Sequence, residues 1–331
     1  MKPVKIIDVT LRDGGYRNNF EFSAEYASHA IGALADIGVQ YAEIGYCNGP
    51  FLRQAGQGPH GAVDATCIEA LVKAANGRLP LCVMVHPRNV DRSDLTRLVE
   101  HGISMIRVCL RPEQLDAGLQ TIALAHALGV RVSANFTHVT EQPTRQICTM
   151  AQRAEGAGAQ LVCLADSNGH LLPDDVSRLL GHVARNVEVP LGLHAHNNLS
   201  LALANAMAAI EAGAQYIDAS VCGMGKGAGN LHLSMLIGYL HRCNPQDRHD
   251  LVKALQLSQY TAECVAHSSL PAPLAEVMLG AYNLPFDSHS KLVEHSAEGV
   301  PGNAFEALRA LHERRLQARE SRVATVQGSA S

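Results

Sequence analysis

Two histidines one residue apart, His194 and His196 in the run LHAHNN, are the side chains of this sequence best suited to grip an ion. On an extended strand, residues i and i+2 project to the same face, so both imidazoles can offer adjacent ligand nitrogens. The pair alone carries little weight, because with 17 histidines in 331 residues about one such spacing arises by chance. Two hydrogen-bonded histidines in a tight turn are the plain alternative. Asp13, in TLRDGG near the amino terminus, supplies the carboxylate that would complete a facial set. One carboxylate and two imidazoles, without thiolate, suit Mn²⁺, Mg²⁺, Co²⁺ or Fe²⁺ and leave positions open for substrate oxygens. Asn230 is a candidate further oxygen ligand, or equally the N-cap of the helix that follows it.

Arg12 precedes Asp13 directly. A guanidinium beside a cation can stabilise the negative charge that develops on an enolate, and Glu43 could hold its fork in place. The alternative is an ordinary ion pair of a barrel interior. Ser167, in LADSNGH, could bind a substrate carboxylate, or could cap the helix beginning near Pro173.

These residues need a scaffold that brings distant stretches of chain together. One phrase recurs along the sequence: a helix-like stretch ends in a small residue and glycine, and an apolar, β-branched run follows at once. The glycines are Gly38, Gly102, Gly129, Gly158 and Gly213. Glycine supplies the left-handed helix stop, and apolar runs without alternation suit strands buried on both faces. With the runs at 5–10, 81–86 and 190–195, the pattern predicts eight strands, each followed by a helix. Eight βα units over about 240 residues match a closed (β/α)₈ TIM barrel. An open doubly wound sheet is the rival, but the turn after the first run lacks its Gly-rich phosphate fingerprint.

In such a barrel, the carboxyl ends of the strands form one mouth. Arg12, Asp13, Glu43, His86, Arg107, Asn135, His138, Asp166, Ser167, Asn168, His194, His196, Ser220 and Cys222 all fall at or near those ends. The reading assigns 1–243 to the catalytic barrel, 244–322 to a small helical C-terminal region and 323–331 to a disordered tail. Helices are expected at 251–265, 274–282 and 304–319.

Composition narrows the function classes. There are 27 basic and 31 acidic side chains, 47% apolar residues, no Trp and 4% aromatics. A nucleic-acid binder, a membrane-surface protein and a base-stacking protein are not indicated. No apolar run reaches the length of a membrane span and the start does not resemble a signal peptide, so a cytoplasmic protein is expected. Nine cysteines without Cys-x-x-Cys spacing read as reduced, mostly buried thiols.

Four separated stretches, TLRDGG (10–15), LADSNGH (164–170), LHAHNNLSLALANA (193–206) and IDASVCGMGKGAGN (217–230), together resemble the DRE-type metal-dependent barrel family. That family includes 4-hydroxy-2-oxovalerate aldolase, hydroxymethylglutaryl-CoA lyase, and the isopropylmalate and homocitrate synthases. The resemblance spans the whole barrel and is closest to the 4-hydroxy-2-oxoacid (pyruvate) aldolases, extending to LGAYN and GVP near the C-terminus. It implies Asp13, His194 and His196 as ligands of a divalent cation, Mn²⁺ first with Mg²⁺ or Co²⁺ as alternatives, and Asn230 as a further candidate. It implies Arg12 as the enolate-stabilising cation and Ser167 as a contact to the 2-oxoacid carboxylate; Gly14 and His138 are expected to line the substrate site with them. Cleavage of C3–C4 would leave pyruvate enolate beside Arg12 and release an aldehyde, and the reverse reaction is an aldol addition. It further implies a homo-oligomer and pairing with an aldehyde dehydrogenase.

One departure concerns the base. The aldolases resembled here carry histidine just after the Arg-Asp-Gly turn, where this chain has Tyr16, and an unperturbed phenol with a pKa near ~10 is a poor base at neutral pH. Tyr16 could act as phenolate or relay, His86 or His138 could substitute, or the substrate differs. The capping tyrosine of the aldolases' C-terminal region is not clearly matched, since Tyr282 sits off register with Pro285 and Phe286 near its place. Cys222 reads as a structural thiol rather than a lyase nucleophile. The alternatives are an acyl-CoA lyase or Claisen-type condensing enzyme of the same family, and a barrel without catalysis serving a larger assembly.

Overall fold

The computed structural model describes residues 3–50, 56–244, 246–268, 279, 283–285, 288 and 311–318. Eight strands pair in parallel and in chain order: β1 (Lys5–Asp8), β2 (Tyr41–Tyr46), β3 (Leu81–Val85), β4 (Met105–Leu110), β5 (Arg131–Phe136), β6 (Leu161–Asp166), β7 (Leu191–Ala195) and β8 (Tyr216–Ala219). β1 pairs with β2 on one side and with β8 on the other, Ile7 facing Tyr41 and Asp218, so the sheet closes on itself. Closure removes the open-sheet rival and makes the fold a (β/α)₈ TIM barrel.

The intervening helices are α1 (Ala24–Ile37), α2 (Ala65–Ala75), α3 (Arg92–Glu100), α4 (Leu115–Ala127), α5 (Thr144–Gly156), α6 (Pro173–Ala184), α7 (Ala202–Glu211) and α8 (Leu233–Cys243). Their starts and stops are written locally. Ser23, Asp64 and Asp91 cap α1, α2 and α3 by accepting the backbone N–H three residues on. All five glycines of the recurring phrase take positive φ, between 76° and 107°, a region other residues enter only at a cost.

Successive layers fill the barrel. Tyr41, Met105, Leu161 and Tyr216, one from each even-numbered strand, form an apolar floor with Ile7 and Cys82. Two residues further along the same strands stand Glu43, Arg107, Cys163 and Asp218. Alternation aims residues i and i+2 the same way, and a barrel layer draws on alternate strands, so these four form one layer too. Where such layers are ordinarily branched and apolar, this one is charged.

Beyond the barrel, α9 (Leu251–Cys264) packs on α1 and α8, with the Tyr26 and Thr261 hydroxyls 2.9 Å apart. A further helical stretch occupies 311–318. Residues 280–282, 286, 304–310 and the expected tail at 323–331 lie outside the described residues, as does 274–278; Tyr282 and Phe286 are among them. No helix among the described residues is long and apolar enough to cross a membrane.

Candidate metal centre

The first strand ends earlier than the sequence pattern suggests, at Asp8 rather than Thr10, and the reason is local. The Asp8 carboxylate accepts from the Thr10 backbone N–H (3.0 Å) and hydroxyl (2.7 Å), which turns the chain. The backbone N–H groups of Asp13 and Gly14 then both donate to the Val9 carbonyl, at 2.8 and 3.2 Å. This tight turn swings Arg12 and Asp13 over the mouth. Gly15 is required there, because a Cβ would collide with the Phe20 ring. Gly14 contributes space rather than a donor, since its N–H is already used and Met224 lies against it.

Asp13, His194 and His196 come together. Their ligand atoms all lie within 4.8 Å of one another, and all three side chains are buried. Asp13 Oδ2 is 3.9 Å from each histidine Nε2, and the two Nε2 atoms are 3.3 Å apart. Burial would raise the Asp13 pKa, but Arg12, then His196 and His194, hold its carboxyl well below the usual range. Burial, opposed by Asp13, lowers His196 to about 4, so at neutral pH it presents a lone pair.

Asn230 reaches this cluster, and it is not the cap of α8, whose N-cap is His232. A short bridge pairs it with His196, and its Nδ2 donates to Asp13 Oδ2 (2.9 Å) and to the Met224 carbonyl (3.0 Å). Its Oδ1 is buried without a hydrogen-bond partner among the described residues.

Arg12 ties the centre to the charged layer. Its Nε donates to Glu43 Oε2 at 2.7 Å and its NH1 to Asp13 Oδ1 at 2.5 Å. Burial opposes its charge, yet Glu43 and then Asp13 raise its pKa well above the ordinary arginine value. Glu43 Oε2 also accepts from Arg107 NH1 (3.0 Å), and Arg107 NH2 donates to Asp218 Oδ2 (2.6 Å). Asp218 Oδ2 in turn lies 3.0 Å from His194 Nδ1. Two guanidiniums therefore face three carboxylates, leaving one negative charge buried, which is costly unless a cation is added. That imbalance, the N₂O donor set and the unpartnered Asn230 oxygen all fit a divalent cation bound by Asp13, His194 and His196.

The remaining expected residues divide between two sides of the mouth. Tyr16 lies near Asp13, its hydroxyl 3.1 Å from that of Tyr46, its ring edge-on to Phe20 and under the Lys226 ammonium. Burial pushes the Tyr16 phenol up to about 12 despite the Tyr46 hydroxyl. His86 stacks on Tyr46 at 5.6 Å, and burial, with Arg111 and Arg12, lowers it to about 4. Opposite them, Ser167 does not cap α6, whose N-cap is Leu172. Its Oγ accepts from the His138 backbone N–H (3.0 Å). The His138 ring is held at both nitrogens, Nε2 by Arg111 (2.8 Å) and Nδ1 by Glu141 (3.1 Å). Cys222 turns away to α9, where its thiol donates to the Ser258 carbonyl.

Sequence reasoning named Arg107 without a role and missed Asp218, Tyr46 and Asn283. Arg107 and Asp218 carried a signal, since a charged residue inside an apolar strand must find a buried partner. Asn283 is the last residue of the LGAYN stretch of the resemblance, which named no role for it. It reaches the mouth from the C-terminal region, accepting from Asn168 Nδ2 (2.7 Å) and donating to the Thr140 carbonyl (3.0 Å).

The HMGL-like family profile matches residues 3–261. The chain belongs to the HMGL-like family. It is 33% identical over 282 residues to the 4-hydroxy-2-oxovalerate aldolase of Moorella thermoacetica, covering 84% of this chain and 82% of that one. The enzyme of the same name from Desulfitobacterium hafniense is 30% identical, covering 85% and 84%. Among solved structures, the HMG-CoA lyase of Brucella melitensis shares the fold, with a TM-score of 0.69 at 20% identity over 80% of this chain and 99% of that one. This HMGL-like protein is a carbon–carbon lyase.

Proposed function

We propose that the protein is a divalent-metal-dependent aldolase that cleaves or forms a 4-hydroxy-2-oxoacid through a pyruvate enolate. The observation that carries the reading is the meeting of Asp13 with His194 and His196, with a charged, buried Arg12 hydrogen-bonded to Asp13 beside them. The relatives named 4-hydroxy-2-oxovalerate aldolase support the substrate class.

A divalent cation held by Asp13, His194 and His196, Mn²⁺ in first place, supplies Lewis-acid polarisation of the keto oxygen when bound. Arg12 uses two of its five N–H donors on Glu43 and Asp13, leaving donors to stabilise the charge that grows on the enolate oxygen. Ser167 Oγ accepts from His138 and so keeps its own O–H for the substrate carboxylate. Tyr16, protonated at neutral pH, donates to the C4 oxygen. His86, neutral at the same pH, takes the C4 hydroxyl proton on an imidazole nitrogen. His138, with both nitrogens engaged, orients Ser167 instead. An aldehyde dehydrogenase that consumes the aldehyde, and self-association of the chain, belong to this proposal.

The test is pyruvate release from 4-hydroxy-2-oxovalerate, followed with a coupled lactate dehydrogenase assay. Turnover should require added Mn²⁺ after chelation, and Asp13→Ala should lose both Mn²⁺ binding and turnover. Cleavage of a CoA thioester without pyruvate release from any 4-hydroxy-2-oxoacid would favour the acyl-CoA lyase reading, and full activity in metal-free Asp13→Ala would end the proposal.

A further inference from the structure

We infer that Asp218 is the positioning residue of the metal centre: it fixes His194 in one tautomer, with Nδ1 protonated and Nε2 aimed at the cation, and Arg107 keeps it able to do so. The inference rests on the metal-dependent reading above and goes beyond it, to a residue outside the ligand set.

The geometry supplies each step. His194 has two ring nitrogens, and only one carries a proton in the neutral imidazole. Nδ1 lies 3.0 Å from Asp218 Oδ2, a carboxylate oxygen that can only accept, so the proton belongs on Nδ1. Nε2 is then a lone pair, and it faces Asp13 and His196 Nε2. Asp218 is almost fully buried, at 2% exposure, where a carboxylate requires a partner. Arg107, itself 0% exposed, donates to the same Oδ2 at 2.6 Å.

Arg107 is in turn held from other sides, by Glu43 (3.0 Å), by Cys163 Sγ (3.5 Å) and by the Asn135 amide oxygen at 2.7 Å once that amide is oriented to satisfy its neighbours. Glu43 Oε2 is the atom that also holds Arg12. One layer of the barrel interior, drawn from β2, β4, β6 and β8, therefore sets the direction of a ligand on β7 and of the guanidinium beside Asp13. A carboxylate behind a ligating histidine makes the ring a better donor and holds its direction, and its loss typically weakens metal binding 10- to 100-fold.

Two measurements on the full chain test this. Mn²⁺ affinity, read by electron paramagnetic resonance of the free ion, should fall about 10- to 100-fold in Asp218→Asn and recover in part in Asp218→Glu. Asp218→Asn with wild-type Mn²⁺ affinity would overturn the inference, whereas absence of Mn²⁺ binding in the wild type would instead sink the metal-dependent reading. Should Asp218→Asn not fold, ¹⁵N spectra of histidine-labelled wild type read the tautomer directly, with the His194 signals assigned by His194→Gln. A protonated Nδ1 and bare Nε2 are expected, and an Nε2–H tautomer refutes the role of Asp218.

Discussion

Replacing Arg12 by lysine keeps the charge and removes the fork. Arg12 is 6% exposed and spends two N–H groups on Glu43 and Asp13, so three of its five donors remain for the substrate. Lysine has three donors in all and a single point of charge, so satisfying both carboxylates leaves one. Loss of one preorganised donor to a developing oxyanion costs roughly 2.7–4 kcal/mol, or about 10²- to 10³-fold in kcat. Since lysine keeps the positive charge and a donor for Asp13, Mn²⁺ affinity should change by less than about tenfold, short of the losses seen when a ligand's support is removed outright. The assay is steady-state pyruvate release at saturating Mn²⁺, with affinity measured separately on the same preparation. A wild-type kcat in Arg12→Lys would refute the reasoning and assign the residue to structure alone. A kcat loss that higher Mn²⁺ restores would move Arg12 from charge stabilisation to support of Asp13.

Outcomes are also expected for three further variants. His86→Gln should lower kcat about 10²-fold or more through loss of a general base, and Tyr16→Phe about tenfold through loss of one hydrogen bond; the reverse order would give the proton-accepting role to Tyr16. Burial raises Asp8 to about 7 in the folded chain from an ordinary 3.8, so the folded state binds more protons than the unfolded state between those values. Stability from this group is complete below the unfolded pKa and is lost as pH rises through the window. Asp8→Asn lacks that slope, so its Tm should gain on wild type by roughly 5 °C from pH 4 to pH 7 and level off above. A difference in Tm that stays constant across that range would contradict the burial argument.

The sequence by itself determined the barrel and the pairing of the two histidines, because both depend on short-range rules. Gly38, Gly102, Gly129, Gly158 and Gly213 stop helices through their own backbone freedom. His194 and His196 share a face because a strand alternates with a period of two, wherever it lies in the fold. Asp13 was a candidate on the same footing, since β1 and β7 had to be near neighbours once eight units closed.

Only the tertiary structure decided what each candidate touches. Asn230 offered a ligand or a cap with equal claim, and the bridge to His196 removed the cap. Ser167 likewise lost its capping role to a bond with His138 across the loop between β5 and α5. Asp218 stands mid-strand, away from the mouth-end positions where chemistry was sought, and its partners lie 24 and 111 residues away along the chain. No local rule joins β4, β7 and β8 at one oxygen atom. The closure of the sheet does, because it forces the buried charges of alternate strands into a layer narrow enough that each must find its counterion there.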